Sequence, residues 1–517
     1  MNQAVAIAPA QGTERRQVLV SFLVLAGVIT ALRWPFAWTS NEETYFILAH
    51  RLVEPAAYGP LDAVFDSSRG KWAGLLSFGW PAKWFGFEAA HALLGALTVA
   101  VTAAGLAALA RMIRLPPLAS VAALLLFMAL GQSIVGNEWF VGAIETKTIS
   151  YGLGLIALAA ANDRRPRVAA LLVAVAAYFH FLVGGFWLLA VSLFLIVDPA
   201  MRPSLRSFLP VALLLLLPLL AALSFDAREA AATPRPAGMP SADFIYSVLR
   251  APHHVAPFDG PKPWALRALA AGVLGLLLAP LFWSLAQRSE GALQPLLRAI
   301  AIAVLLLPIA VIASWIDRHH GALGKFYLFR PVSPLLLLML FAAAALAHRQ
   351  FGVRRWAPFA WLAVIALSFV LMIVSPLHRW PARDPNVGPL IAAVRAHTAP
   401  GQLVLIDPSL DSASPSLEGA SGSSLARKIG RPMYVSWKFV PTNAPDIYKW
   451  YGRLEQRRRL FDEACPNDPR VGALILSTGQ LPGHAGCGTL VYRDRQAAVL
   501  ALPPRAHSGA SKANAAN

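Results

Sequence analysis

About eleven apolar runs, each near the roughly 20 residues that a helix needs to cross a hydrocarbon core, divide this 517-residue chain. They cover about 18–32, 89–110, 117–135, 148–162, 167–180, 182–197, 208–225, 264–285, 299–316, 332–347 and 357–376. The stretch 168–197 contains Gly184-Gly185 and reads as two short helices, 167–180 and 182–197. Lipid offers the backbone no hydrogen bonds, so such runs fold as helices. Charged residues make up 14% of the chain and hydrophobic residues 57%. These values exclude a disordered or fibrous chain and argue against a soluble one.

The net charge is +18. In a soluble protein that excess would suggest nucleic acid, but here the arginines fall in short clusters between spans, and no nucleic-acid partner is expected. One set of segments carries Arg15 and Arg16; Arg111 and Arg114; Arg164, Arg165 and Arg167; Arg202 and Arg206; Arg288 and Arg298; Arg349, Arg354 and Arg355. By the positive-inside rule these segments are cytoplasmic. The other set, 34–88, 136–147, 226–263 and 317–331, holds most acids, histidines and aromatics and falls outside, as does everything after Pro376. An odd number of spans with the N-terminus inside gives the same answer. Arg15-Arg16 before the first run match a twin-arginine leader weakly. No clean small-x-small cleavage site follows, so the first helix is expected to stay attached.

Four regions result: a cytoplasmic tail over 1–16, a polytopic domain over 17–380 with a long first external loop at 34–88, an extracytoplasmic domain over 381–502 and a disordered tail over 503–517. In the third region the composition becomes that of a soluble domain. Residues 402–406, 432–436, 471–477, 489–492 and 497–500 read as strands, and 386–397 and 443–465 as helices, which suggests a small α/β domain. Its two cysteines, Cys465 and Cys487, are the only ones in the chain. An oxidising compartment would allow them to pair, but their distance is not legible in the sequence.

Chemistry on a membrane-bound substrate belongs on the face where polar loops gather. The first external loop carries Glu42 and Glu43, followed by Tyr45, Phe46, Leu48, Ala49 and Leu52 at helical spacing. This predicts an amphipathic helix along the interface with an acidic pair at its start. A partly buried carboxylate there has a raised pKa and suits a general base; equally, acids in a first turn are favoured by the helix dipole alone. In the second external segment Glu138 and Glu145 share a face if it is helical, whereas Glu145 and Lys147, two apart, would not meet on a helix. Charges entering a span are costly and mark substrate-binding candidates, or else a mutual network. His180 lies at the outer end of a span and is a substrate-binding candidate or a structural residue. His319, His320, Lys325 and Arg330 form the densest external cluster, where Arg and Lys suit a lipid phosphate. Asp317 and Arg318 beside them suggest a local ion pair, and His253-His254 read as loop residues. No metal centre is expected, because adjacent histidines seldom converge on one ion. The absence of a Walker pattern, a thiolate set and a serine elbow argues against an ATP-driven engine.

The piece Glu42-Glu43-Thr44-Tyr45, continuing to Ala49 and set in the first external loop of a many-span chain with an external C-terminal domain, resembles the GT-C superfamily of membrane glycosyltransferases. The stretches 430–441 and 446–453 resemble a domain of uncharacterised bacterial membrane proteins. The resemblance implies an all-α multi-pass fold of about eleven transmembrane helices, followed by a small α/β domain, in a bacterial inner membrane. It implies transfer of a sugar from a polyprenyl-phosphate donor to a glycan, lipid or protein acceptor on the outer face; no cofactor is expected, and the sequence leaves a need for a divalent metal open. Glu42 or Glu43 would activate the acceptor, and Arg330 and Lys325 would hold the donor phosphate. Competing expectations are a polysaccharide polymerase or ligase, a transporter and a non-catalytic scaffold.

Overall fold

The computed structural model describes residues 11–34, 36–58, 69–259, 263–374, 387–411, 422–462 and 465–503. Most of the expected N-terminal tail and nearly all of the expected C-terminal tail lie outside the described residues. Among the described residues, seven helical segments are long and apolar enough to cross a membrane. They are α1 (Gln11–Arg33), α3 (Trp72–Met112), α8 (Arg202–Ala232), α9 (Ala265–Gln287), the pair α10 (Leu293–Ala303) and α11 (Leu306–Ile316), α12 (Val332–Phe351) and α13 (Ala357–Val374). Four shorter apolar helices pack among them: α4 (Pro117–Ala129), α5 (Thr146–Asn162), α6 (Pro166–Phe179) and α7 (Phe181–Val197). The bundle turns large apolar side chains outward, with Leu214 66% and Leu277 65% exposed. Water would penalise that surface, whereas lipid does not.

Two features of the first external loop differ from expectation. Helix α3 begins at Trp72, well before 89, and is broken only at Gly86, whose φ is +78°. A side chain seldom adopts that backbone angle, so glycine sets the bend between an outer piece and the span proper. Trp72, Trp80, Trp84 and Phe85 on the outer piece are exposed, as befits a membrane–water boundary. Helix α2 (Ser40–Val53) is the acidic helix, and it does not lie free along the interface. Phe46 and Ala49 are buried in a cluster with Leu75 and Phe78 of α3, while Ile47 joins the core of the C-terminal domain. Both faces of α2 are therefore covered.

The α6–α7 break falls at His180, between the two short helices expected over 167–180 and 182–197. His180 is extended, and its Nδ1 accepts from Val183 N at 3.4 Å, capping α7. A Cβ on Gly184 would come within 2.2 Å of Ala177 Cα, so this glycine permits the two helices to approach each other.

The C-terminal domain is built on a four-stranded mixed sheet in the order β1-β2-β4-β3: β1 (Leu403–Ile406), β2 (Val471–Ser477), β3 (Thr489–Arg493) and β4 (Ala497–Ala501). Strand β2 runs parallel to β1 and antiparallel to β4. Around it lie α14 (Gly388–His397), α15 (Gly422–Ile429) and α16 (Ala444–Asp462). The expected strand over 432–436 is reduced to one parallel bridge, Val404 with Met433. Beyond it the chain turns to Asp411, which accepts from Ser436 Oγ at 3.0 Å and Trp437 N at 2.8 Å. Cys465 and Cys487 are joined in a disulfide. The domain seats on the bundle through α15 against α2 and through α16 against α8.

Candidate functional site

The start of α2 is fixed by a reciprocal cap. Thr39 Oγ1 accepts from Glu42 N at 3.2 Å, and Thr39 N donates to Glu42 Oε2 at 2.7 Å, which satisfies two otherwise orphaned amides. The same carboxylate accepts from Arg33 Nη2 at 2.9 Å and from Ile144 N at 2.6 Å, and lies 3.3 Å from His91 Nε2. Burial pushes its pKa up, but the His91 hydrogen bond, the Arg33 charge and the Ile144 amide outweigh it and hold the carboxyl below its ordinary value. This corrects the expectation of a raised pKa. Glu42 is fully buried, and it ties the end of α1, the α4–α5 connection and α3 to the start of α2.

Glu43 points elsewhere. Arg427 of α15 grips both its oxygens, Nε on Oε2 and Nη2 on Oε1 at 3.2 Å. The same guanidinium donates through Nη1 to Glu88 at 2.5 Å and lies 4.0 Å over the Trp38 ring. Trp38 in turn donates to Glu88 at 3.0 Å and stacks on His91. A fork of five donors suits this bidentate and stacked arrangement, which lysine would not reproduce. Arg427 was not singled out from the sequence. Its one local signal is the apolar spacing of Leu425, Ala426 and Ile429, which turns Arg427 away from the domain core.

A second network lies beside the first. The segment 136–145 is not helical, and Glu145 takes an extended conformation as it enters α5. Glu145 and Lys147 therefore meet, Oε2 to Nζ at 3.2 Å, although a helix would have kept them apart. Lys147 Nζ also pairs with Glu138 Oε1 at 2.8 Å, and Arg330 Nε donates to Glu138 Oε2 at 2.9 Å. Burial would raise the Glu138 pKa, but Lys147 and Arg330 hold it far below the usual carboxylate range. Arg330 Nη1 is 3.5 Å from His180 Nε2, and its guanidinium covers the Tyr327 ring at 4.1 Å. On the other side Asn41 donates to Glu145 Oε1 at 3.1 Å and accepts from Lys438 Nζ at 3.2 Å. Tyr45 faces Glu145 and Lys147; burial, then the Glu145 charge, pushes its hydroxyl up to about 12, so it stays a neutral donor.

Glu138, Glu145, Lys147, His180 and Arg330 thus come together with Asn41 on α2 and Lys438 of the C-terminal domain. Lys71, at the foot of α3, was also missed in the sequence. Arg330 is the charged neighbour that acts on it, and Lys71 makes no ion pair among the described residues. The remaining candidates lie apart from this group. Lys325 is held at the surface by Asp243 at 2.9 Å, His319 is exposed 3.7 Å from Asp259, and His320 is exposed. Asp317 does not pair with Arg318. Its carboxylate accepts from the amides of Ala322, Leu323 and Gly324 at 2.7–2.9 Å, while Arg318 covers Trp315. Among the described residues no three His, Cys, Asp or Glu side chains gather as a metal-ligand group.

No family model matches the chain, and no curated protein matches it in sequence. Among solved structures, ArnT from Cupriavidus metallidurans bound to undecaprenyl phosphate aligns with a TM-score of 0.53 and 14% identity, over 95% of this chain and 98% of that one. The apo form of the same protein aligns over the same shares with a TM-score of 0.41 and 12% identity. The chain is a multi-pass membrane protein with a small α/β domain, and it shares its fold with ArnT.

Proposed function

We propose that the chain transfers a sugar from a polyprenyl-phosphate donor to an acceptor hydroxyl on the outer face of a bacterial inner membrane. The observation that carries this reading is convergence. Two carboxylates of the α4–α5 connection, Asn41 of α2, Arg330 ahead of α12 and Lys438 of the C-terminal domain share one network at one end of the bundle. The fold shared with ArnT, bound in its crystal to undecaprenyl phosphate, supports the donor class. The arginine clusters at the opposite helix ends support an N-terminus inside and a C-terminal domain outside.

In this reading the acceptor oxygen attacks the anomeric carbon of the donor, and the bond from that carbon to the lipid phosphate breaks. The acceptor proton passes to Glu43, and the departing phosphate keeps the bonding electrons. Lys71 and Arg330 face the departing phosphate and stabilise its charge. Glu42 holds the helix that carries Glu43. Both Glu43 oxygens are occupied by Arg427, so the fork lets go when the acceptor enters. The test is Glu43→Gln in cells, at normal membrane levels, with polyprenyl-linked sugars and surface glycans profiled. The donor should accumulate and one glycan modification should disappear. An unchanged profile, in a background where the wild-type gene restores the modification, points to transport or scaffolding instead.

A further inference from the structure

At the other end of α1 the bundle leaves a cleft of about 660 Å³ between α1, α3 and the α5–α6 connection. Arg33 at one end of α1 holds Glu42; Arg15 lies about 27 Å of helix away, close to the thickness of a hydrocarbon core. Leu19, Phe22 and Ala108 wall the cleft, and Arg15, Arg111 and Arg165 stand at its mouth. The volume falls in the range of small-molecule sites, roughly 300–1,000 Å³. Arg111 is already committed, to Asp163 at 2.5 Å and Glu14 at 3.7 Å. Arg15 and Arg165 are exposed and have no ion-pair partner among the described residues.

We infer that this cleft binds one anionic glycerophospholipid of the leaflet on the arginine side, with an acyl chain along Leu19, Phe22 and Ala108 and the headgroup phosphate between Arg15 and Arg165. The walls point to a hydrocarbon chain, because water in such a space would lack the polar partners it needs. The mouth points to a phosphate, because two free guanidinium forks match its oxygens and a zwitterionic headgroup offers them no net charge. Basic pockets between helices on the cytoplasmic side meet a leaflet that is itself anionic.

The test is a titration of the delipidated full chain in detergent with phosphatidylglycerol, phosphatidylcholine or inorganic phosphate, read by native mass spectrometry and by melting temperature. Phosphatidylglycerol should bind at one saturable site more tightly than phosphatidylcholine. The double variant Arg15→Gln/Arg165→Gln should weaken it by about thirtyfold, the factor that losing two surface-proximal basic groups implies. Arg354→Gln/Arg355→Gln, at exposed arginines outside the cleft, should leave it unchanged. Leu19→Trp, at a side chain 56% exposed and so harmless to folding, should narrow the cleft and weaken binding as well. Equal affinity for the two lipids, or full binding by both cleft variants, overturns the proposal. If inorganic phosphate competes with the lipid at equal concentration, the cleft is a free-anion site and the acyl contact has no part in it.

Discussion

Arg427 and Glu43 stand 384 positions apart in sequence and form a two-pronged ion pair that fastens α15 of the C-terminal domain onto α2. The guanidinium is 7% exposed and the carboxylate not at all. Removing Arg427 uncovers a buried carboxylate and costs roughly 3–5 kcal/mol, removing Glu43 costs less because Glu88 still holds the guanidinium, and removing both costs less than the sum. Arg427→Gln and Glu43→Gln should each lower the melting temperature of the purified protein, and the double variant should recover most of the loss. Additive single losses in a double-mutant cycle would show that the pair has no coupling and that other contacts seat the domain.

That pair also marks where sequence reading stops. The spans were legible because a lipid solvent forces apolar runs of fixed length, and β2 was legible because the run Val471–Ser477 is a short, buried, largely apolar stretch. The foot of α3 was not, since Lys83, Gly86 and Glu88 resemble a polar loop until their aromatic neighbours are placed at a membrane boundary. Glu138, Glu145, Lys147 and Arg330 stood out because charge at a span end is costly. Arg427, Lys438 and Lys71 did not, because they look like ordinary surface cations and only the folded chain brings the first two to α2 and the third beside Arg330. The Glu145–Lys147 contact was misread for a local reason: the spacing rule assumed a helix where the backbone is extended.

The charge of Glu42 should show itself in the pH dependence of stability. The Glu42 carboxyl is held below its ordinary value of 4.5. A group with a depressed folded pKa contributes stability that is present above the unfolded pKa and lost as pH falls through the folded one. The gap in melting temperature between wild type and Glu42→Gln should therefore be full at neutral pH and narrow progressively below about pH 4.5. A gap that stays constant down to pH 3 would mean that Glu42 acts through shape and capping geometry rather than through its charge.

Lys147 is the hinge of the second network, with Glu138 at 2.8 Å and Glu145 at 3.2 Å on one ammonium. Lys147→Met leaves two carboxylates facing each other without their shared cation, and about 3–5 kcal/mol should be lost. Adding Glu145→Gln should restore part of that, because Glu138 keeps Arg330 while Glu145 no longer carries a charge. Melting curves of the single and double variants decide the matter. A double variant no more stable than the single one rules out carboxylate repulsion as the cause.

Lys71 and Arg330 offer the sharpest separation of binding from folding. Arg330 carries a buried ion pair with Glu138, so Arg330→Gln should weaken both the fold and the hold on a lipid phosphate. Lys71 makes no ion pair among the described residues, and Arg330 beside it repels its charge. Lys71→Gln should therefore leave the melting temperature unchanged or slightly raised. If a phosphate sits between the two cations, the same variant should weaken binding of undecaprenyl phosphate by about 10- to 100-fold, the worth of one hydrogen bond to a charged group. The measurement is a titration of wild type and Lys71→Gln with undecaprenyl phosphate beside their melting curves. Undiminished binding in Lys71→Gln removes this lysine from the donor site, and a large drop in melting temperature assigns it to the fold.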